Sequence, residues 1–253
     1  MKRTTPFLAA ALLAVSCLFS PSLHAEELRI SVAASMTEVF KELIAHFSRE
    51  HPAITVLPNF GPSGGLAKQI NQGAPADLYV SANPKWMQFL LAEEKIERSS
   101  LRTFAHNSLV FVGCTEQQVA GLSDLPNLER IGIGSPKSVP AGQYARQALE
   151  KAGLYEQLLT AGKLVMAKDV RQALIYADRG ETDGSFVYKT DARLAGRAKI
   201  LFEVPRELYS QVTYPLAMTR AGSSKAATQA FYAFVTSRGG GATVSKYGFS
   251  LPE

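Results

Sequence analysis

The chain has 253 residues, of which 46% are hydrophobic, 19% charged and 9% aromatic, and it carries a formal net charge of +5. This composition is typical of a folded globular protein, and it excludes a disordered chain, a collagen-like fibre and a disulfide-rich miniprotein. The length suits one large domain or two modest ones.

A secretory signal peptide is predicted over residues 1–25. Two basic residues precede an apolar run over residues 7–19, and Ala25 supplies a small residue before the cut. The run is too short to span a bilayer as a resident helix. We therefore expect secretion with cleavage after Ala25. The remaining chain is only weakly basic and has no run of basic residues suited to nucleic acid or anionic lipid.

The two cysteines are not expected to form a disulfide. Cys17 lies inside the predicted signal peptide. Lipid anchoring through Cys17 is disfavoured, because Ala14 stands where a lipoprotein signal carries a bulky aliphatic residue. Cys114 is then alone in the mature chain, so the fold has to depend on its hydrophobic core.

Past residue 25, short β-rich runs alternate with helical patterns, which is typical of an α/β fold with mixed, mostly parallel sheets flanked by helices. Strands are predicted at 28–34, 54–60, 76–82, 108–114, 130–134, 184–188, 199–204 and 212–218. Helices are predicted after residue 35, at 63–72, from residue 84, at 141–152, 170–179 and 225–237, with the glycines 239–241 breaking the last one before a short turn.

No linker rich in proline or serine marks an end-to-end domain boundary, so two lobes that share the chain by crossing between them are favoured. We predict that residues 26–106 and 212–253 form one lobe and that residues 107–211 form the other. The two chain crossings, placed before Ser108 and near Tyr214-Pro215, would act as a hinge.

Four predicted helix entries are rich in hydrogen-bond donors. Ser35 follows the first strand in a capping-box pattern, and residues 61–65 form a glycine-rich turn after the second strand. Pro140 stands at the predicted first position of one helix, and Asp169 is a natural N-cap for another. Helix N-termini bind anions through unpaired N–H groups and partial positive charge, and ligands of open α/β sheets bind outside the carboxyl ends of strands. The pattern favours an anion site.

We expect the charged side chains near these helix N-termini to have structural roles and not to bind the anion. The side chains of Lys68, Arg146 and Arg171 are expected to be solvated on helix surfaces. Asp169 would repel an anion if it faced one, so we predict that it turns back to cap its own helix.

Six motifs in the mature chain carry a more specific signal. They are residues 31–38, 73–82, 107–110, 139–145, 169–174 and 246–249. In this order they resemble the periplasmic molybdate-binding proteins of ABC transporters, which are two-lobed solute-binding proteins of type II. The resemblance covers essentially all of the mature chain.

The resemblance implies a ligand site residue by residue. It places the anion between the hydroxyls of Ser35 and Ser63, the backbone amides of Ala141 and Val170, and the phenol of Tyr188. It further implies a monomeric binding protein without a cofactor and without catalysis. The ligand would be molybdate or tungstate, with molybdenum held only as the oxyanion, and the partners would be a membrane permease and its ATPase.

Two alternatives remain open from the sequence. The first is another tetrahedral oxyanion such as sulfate. The second is a serine hydrolase, because residues 61–65 also match the Gly-x-Ser-x-Gly nucleophile elbow around Ser63. That mechanism would need His106 as the base, since it is the only histidine after Ser63, and Asp77 is the only aspartate between the two.

Overall fold

The computed structural model describes residues 26–252. The predicted signal peptide, its cleavage after Ala25 and the prediction about Cys17 lie outside these residues. Across residues 26–252, every helix is too short or too polar to cross a membrane.

Strands and helices alternate along most of the chain. The strands are β1 (Glu26–Ala33), β2 (Ile54–Gly61), β3 (Leu78–Val80), β4 (Arg102–Asn107), β5 (Leu109–Gly113), β6 (Ile131–Gly134), β7 (Leu164–Ala167), β8 (Gly184–Tyr188), β9 (Lys199–Glu203) and β10 (Val212–Met218). The helices are α1 (Thr37–Glu50), α2 (Ser63–Asn71), α3 (Pro84–Ala92), α4 (Pro140–Lys151), α5 (Tyr155–Thr160), α6 (Val170–Asp178), α7 (Lys189–Ala192), α8 (Ala226–Val235) and α9 (Arg238–Lys246).

The strands form two mixed sheets of five strands each. The first has the order β2-β1-β3-β10-β4 and the second the order β7-β6-β8-β5-β9. In each sheet one strand runs against the others: β10 pairs antiparallel with both of its neighbours, and so does β5. The predicted two-lobed α/β fold with mostly parallel sheets is confirmed. We call the first sheet with its helices the first lobe, and the second sheet with its helices the second lobe.

The chain passes between the lobes twice. It leaves the first sheet at the end of β4 and enters the second at β5, with Ser108 between them. It returns between β9 and β10, at residues 204–211, which is earlier than the Tyr214-Pro215 position expected from the sequence. Tyr214 and Pro215 instead lie within β10, where a register shift accommodates the proline, since proline has no N–H for the ladder. The exact residues at which each lobe begins and ends stay a prediction.

Helix α1 illustrates how the layers form. Its apolar residues recur at spacings of three and four, so that Val39, Phe40, Leu43 and Phe47 lie buried on one face. Phe47 contacts Phe231 of α8 edge-on, with ring centroids 5.0 Å apart. The hydrophobic face of one helix therefore joins the sheet and a second helix into one core.

The sequence missed several elements and misplaced one boundary. Strand β4 lies at the edge of its sheet and begins with two exposed polar residues, Arg102 and Thr103, so it lacks the continuous apolar run used to recognise strands. Strand β7 and helices α5 and α7 are short. Glycines 239–241 do not end a helix. They lie within α9, and the break comes before them at Ser237, whose hydroxyl caps the amide of Gly240.

Candidate functional site

The predicted ligand residues lie around one cavity between the lobes. Ser35, Ser63, Ala141, Val170 and Tyr188 all line it, and each is at most 4% exposed. The first two come from the first lobe and the other three from the second. The cavity volume is about 10 Å³, against roughly 300–1,000 Å³ for sites that take drug-sized ligands. The cavity is therefore too small for a drug-sized ligand.

Ser35 reaches the cavity from a short 3₁₀ turn, Ala34–Met36, that joins β1 to α1. The capping box predicted here is wrong, because neither this turn nor α1 has a side-chain cap. The Ser35 hydroxyl instead lies 2.9 Å from the phenol oxygen of Tyr214, which belongs to β10 of the same sheet. The buried side chain of Ser35 therefore bonds to β10 instead of making the helix-capping bond that the sequence pattern predicted.

Ser63 is the first residue of α2, directly after the turn that ends β2. Its Oγ accepts a hydrogen bond from the backbone N–H of Ala82 at 3.0 Å. Because a backbone N–H can only donate, the hydrogen of the Ser63 hydroxyl is not used in this bond. It remains available to an acceptor in the cavity.

The second lobe presents the N-termini of two helices to the cavity. Pro140 occupies the first position of α4, as predicted, and Ala141 follows it. Val170 is the first residue of α6. Amides in a first helical turn lack intrahelical acceptors, and the helix dipole adds partial positive charge there. Both amides are therefore suited to an anion.

Two glycines permit the close packing around these helix entries. A Cβ on Gly142 would lie 1.7 Å from the carbonyl oxygen of Gly134, so α4 can approach the end of β6 only with glycine at this position. A Cβ on Gly64 would lie 2.4 Å from the ring of Trp86 and 2.7 Å from the carbonyl oxygen of Ser138. Because these positions are glycines, the N-terminal turns of α4 and α2 can pack closely against their neighbours beside the cavity.

Tyr188 ends β8, and its phenol is buried without a hydrogen-bond partner among residues 26–252. Burial raises its pKa well above the ordinary value, and the neighbouring Tyr214 adds to the rise. The phenol therefore stays protonated and can donate. An unpaired buried hydroxyl costs free energy, and a ligand acceptor in the cavity would remove that cost.

The lining holds one charged side chain, that of Asp169. Its Oδ1 accepts from the amide of Gln172 at 2.8 Å, so the predicted N-cap role is confirmed. Among the cations considered from the sequence, Lys68 and Arg146 are exposed, and Arg146 pairs with Glu150 on its own helix. The described residues contain no group of three potential metal-ligating side chains. The site therefore offers neutral donors and helix ends instead of a cationic clamp.

Comparison with known proteins identifies the family. A model of the bacterial extracellular solute-binding proteins matches residues 28–250. The chain belongs to this family. It is 34% identical to the putative ABC transporter substrate-binding lipoprotein YvgL of Bacillus subtilis, over 96% of this chain and 95% of that one. It is also 34% identical to the molybdate-binding protein ModA of Escherichia coli, over 90% and 91% of the two chains.

A solved structure shows the same fold. The periplasmic molybdate-binding protein of Azotobacter vinelandii superposes with a TM-score of 0.80 at 24% identity, covering 89% of this chain and all of that one. The resemblance to molybdate-binding proteins seen in the sequence motifs is confirmed by these relatives. The binding roles of the five cavity residues stay a prediction.

An ion pair of this solute-binding protein was missed from the sequence. Arg171, expected to be solvated, reaches across to the first lobe and donates to the carbonyl oxygens of Ala34 and Ser35, both at 3.2 Å. Its Nε lies 3.0 Å from Oδ1 of Asp191, which is fully buried. Burial raises the pKa of Asp191 to about 7, although Arg171 lowers it. No local pattern signals these contacts, because the partners of Arg171 on the first lobe are distant in sequence.

The lobes of this solute-binding protein touch on both sides of the cavity. Besides Arg171, the amide of Gly64 donates to the carbonyl of Ser138 at 3.0 Å, and the phenol of Tyr144 donates to the carbonyl of Ala82 at 3.4 Å. These bonds join residues of opposite lobes directly beside Ser63 and Ala141. The arrangement is a closed one.

The residues required for a hydrolase are engaged elsewhere. His106 bonds through Nδ1 to the hydroxyl of Thr213, and Asp77 forms an ion pair with Lys225 at 2.7 Å. Ser63 accepts from a backbone amide. Within the described chain, no hydrogen bond joins any two of Ser63, His106 and Asp77, so the elbow-like sequence lacks a base.

Proposed function

We propose that this protein captures molybdate, and equally tungstate, in the interlobe cavity and delivers it to the membrane permease and ATPase of an ABC transporter. It acts as a periplasmic monomer that binds without catalysis, and the oxyanion is cargo, not a cofactor. The observation that carries the proposal is the cavity itself. It is small, buried and supplied with hydroxyl and amide donors from both lobes.

The donor set fits a fully deprotonated tetrahedral dianion. Such an ion only accepts hydrogen bonds, and the hydroxyls of Ser35, Ser63 and Tyr188 with the amides of Ala141 and Val170 can supply them. Charge-assisted bonds are roughly twice as strong as neutral ones, so several of them give tight capture without a cationic side chain. Reversibility, which delivery requires, is kept because no covalent or permanent ion pair is formed.

Two lobes that share one ligand couple binding to closure. Ser35 and Ser63 belong to the first lobe, and Ala141, Val170 and Tyr188 to the second. Only the closed state allows both sets to bond to one ion, so the ion favours that state. A permease that recognises the closed form would then distinguish loaded from empty protein. The names of the relatives, which include molybdate-binding proteins, support molybdate as the ion.

The test is isothermal titration calorimetry of the mature protein with molybdate, tungstate, sulfate and phosphate. Tight binding of the first two, with one ion per chain, is expected. Equal or tighter binding of sulfate would replace molybdate by sulfate as the cargo and would overturn the assignment.

A variant tests the location of the site. Ser63→Ala is expected to weaken molybdate binding by about 1–3 kcal/mol, the usual loss for a bond to a charged group. Ser237→Ala is the matched control, because Ser237 also stands at a helix start but caps α9 and does not line the cavity. An unchanged affinity in Ser63→Ala would mean that Ser63 is structural only.

A further inference from the structure

A chain of hydrogen bonds runs from the interlobe crossing to Ser35, and it begins at Asn107. The side-chain Oδ1 of Asn107 accepts from the backbone N–H of Ser108 at 2.9 Å. This bond fixes the orientation of the amide, because a backbone N–H cannot accept. The Nδ2 group therefore faces the other way, where it donates to Thr190 Oγ1 at 2.8 Å and to the phenol oxygen of Tyr214 at 3.4 Å.

The bond from Asn107 also fixes which atom donates in the hydrogen bond between Tyr214 and Ser35. The phenol oxygen of Tyr214 receives the bond from Asn107, so its own hydrogen has to go to a different acceptor. Within the described chain, the only other hydrogen-bond partner of that phenol is Ser35 Oγ, 2.9 Å away. Tyr214 is fully buried, and burial raises its pKa well above the ordinary value, so the phenol keeps its hydrogen. Tyr214 is thus the donor and Ser35 the acceptor.

We infer that Tyr214, oriented by Asn107, is a positioning and specificity-determining residue for the oxyanion site. It holds Ser35 in the state in which Oγ accepts from Tyr214 and the hydroxyl hydrogen points away from it, toward the cavity. Ala82 acts on Ser63 in the same way through its backbone amide. Both serines of the first lobe are then fixed as donors to the ion. This inference rests on the proposed function, since it concerns how that cavity selects its ion.

As a consequence, the site should discriminate between oxyanions that carry a proton and those that do not. Hydrogen phosphate carries a proton that needs an acceptor, whereas sulfate and molybdate do not. A serine hydroxyl that is free to rotate can serve either as donor or as acceptor. A serine that already accepts from Tyr214 has one lone pair engaged and its hydrogen free, so it favours an ion that accepts over one that has to donate. Sulfate and phosphate are similar in size, and their affinity ratio reports this effect separately from the size of the cavity.

The test uses Tyr214→Phe with Tyr144→Phe as its matched control. Both changes remove one buried phenol hydroxyl, and both rings pack against Tyr188, with centroids 6.0 Å and 6.4 Å away. Only Tyr214 bonds to Ser35. In Tyr214→Phe we expect molybdate to bind about tenfold more weakly, the loss typical of one bond. We also expect the ratio of sulfate to phosphate affinity, measured by competition against molybdate, to fall by a similar factor. Tyr144→Phe removes an interlobe bond to Ala82, so it should weaken all anions by the same factor and leave the ratio unchanged.

The outcomes are distinct. Equal weakening of all anions in Tyr214→Phe, or an unchanged molybdate affinity, would overturn the inference, because a structural role alone predicts no change in the ratio.

Asn107→Leu is a second variant, which releases Tyr214 to accept from Ser35 and should lower the same ratio. Thermal unfolding checks that each variant is folded. If the wild-type protein bound sulfate in place of molybdate, the proposed function would fail while the sulfate-to-phosphate ratio still tested Tyr214.

Discussion

At the scale of single residues, the site depends on side chains whose partners lie far away in sequence. Ser35 and Tyr214 are 179 positions apart, and Arg171 contacts carbonyls more than 130 positions before it. The five cavity residues were predictable because they lie in short motifs at strand and helix ends. Tyr214, Asn107 and Asp191 were not assigned a role in the site from the sequence, because nothing local distinguishes a buried polar residue that orients the site from one that only fills the core.

Asp191 gives the protein a pH-dependent stability. Its pKa is raised to about 7, whereas an aspartate in an unfolded chain titrates near 4. Between these values the folded protein binds a proton that the unfolded chain has released. The stabilisation is therefore complete below about pH 4 and is lost as the pH rises through about 7.

Asp191→Asn should remove this dependence. We expect the free energy of unfolding, measured by urea titration at a series of pH values, to fall less steeply between pH 5 and 7 in the variant than in the wild type. Asp178→Asn is the control, since backbone hydrogen bonds lower the pKa of Asp178 and its contribution lies at lower pH. Identical slopes in wild type and Asp191→Asn would contradict the raised pKa.

At the scale of elements, the positions of helix ends matter more than the helix interiors. The entry of α4 lies against β6 because Gly142 has no side chain. The sequence placed this helix and its first-position proline correctly, as Pro140 fixes the backbone angle that a helix start requires. It did not reveal how close the two backbones are, since that depends on the packing of the second sheet.

Gly142→Ala should therefore damage both stability and binding. Its Cβ would meet the backbone of Gly134, which can only shift, and overpacking of this kind costs about 1–3 kcal/mol. Denaturant unfolding and calorimetry with molybdate would measure the two losses, because the shift also moves the Ala141 amide. In the control Gly239→Ala the new Cβ lies 3.7 Å from its nearest neighbour, in exposed helix, and stability should stay equal or rise slightly. Equal behaviour of the two variants would contradict this account.

At the scale of the whole molecule, closure uses contacts beyond those to the ion. Arg171 belongs to the second lobe, and its guanidinium bonds to two carbonyls of the first. The buried carboxylate of Asp191 holds the guanidinium in place. These bonds exist only when the lobes meet, so they should slow opening and with it the release of the ion.

Arg171→Met keeps an unbranched, flexible side chain and removes these bonds. We expect molybdate to dissociate about tenfold faster, with a smaller change in association, since affinity changes within one site lie mostly in the dissociation rate. The single tryptophan, Trp86, lies beside Gly64 and Ser138 at the seam between the lobes, so its fluorescence can follow opening in a stopped-flow experiment. Arg146→Met is the control, because the contacts that it removes, with Glu150 and with the ring of Tyr155, both lie within the second lobe. Equal dissociation rates for Arg171→Met and wild type would count against this role for Arg171.

The double crossing of the chain also imposes an order on assembly. The strands of the second lobe follow one another without interruption from β5 to β9. The first lobe has no such continuity, because β10 lies between β3 and β4 and, within residues 26–252, is the only strand that pairs with β4. A chain that emerges N-terminus first can complete its second sheet while the first still lacks a strand. The lobe that contains Ser35 and Ser63 is begun first and finished last, so the anion site cannot exist before nearly the whole chain has emerged.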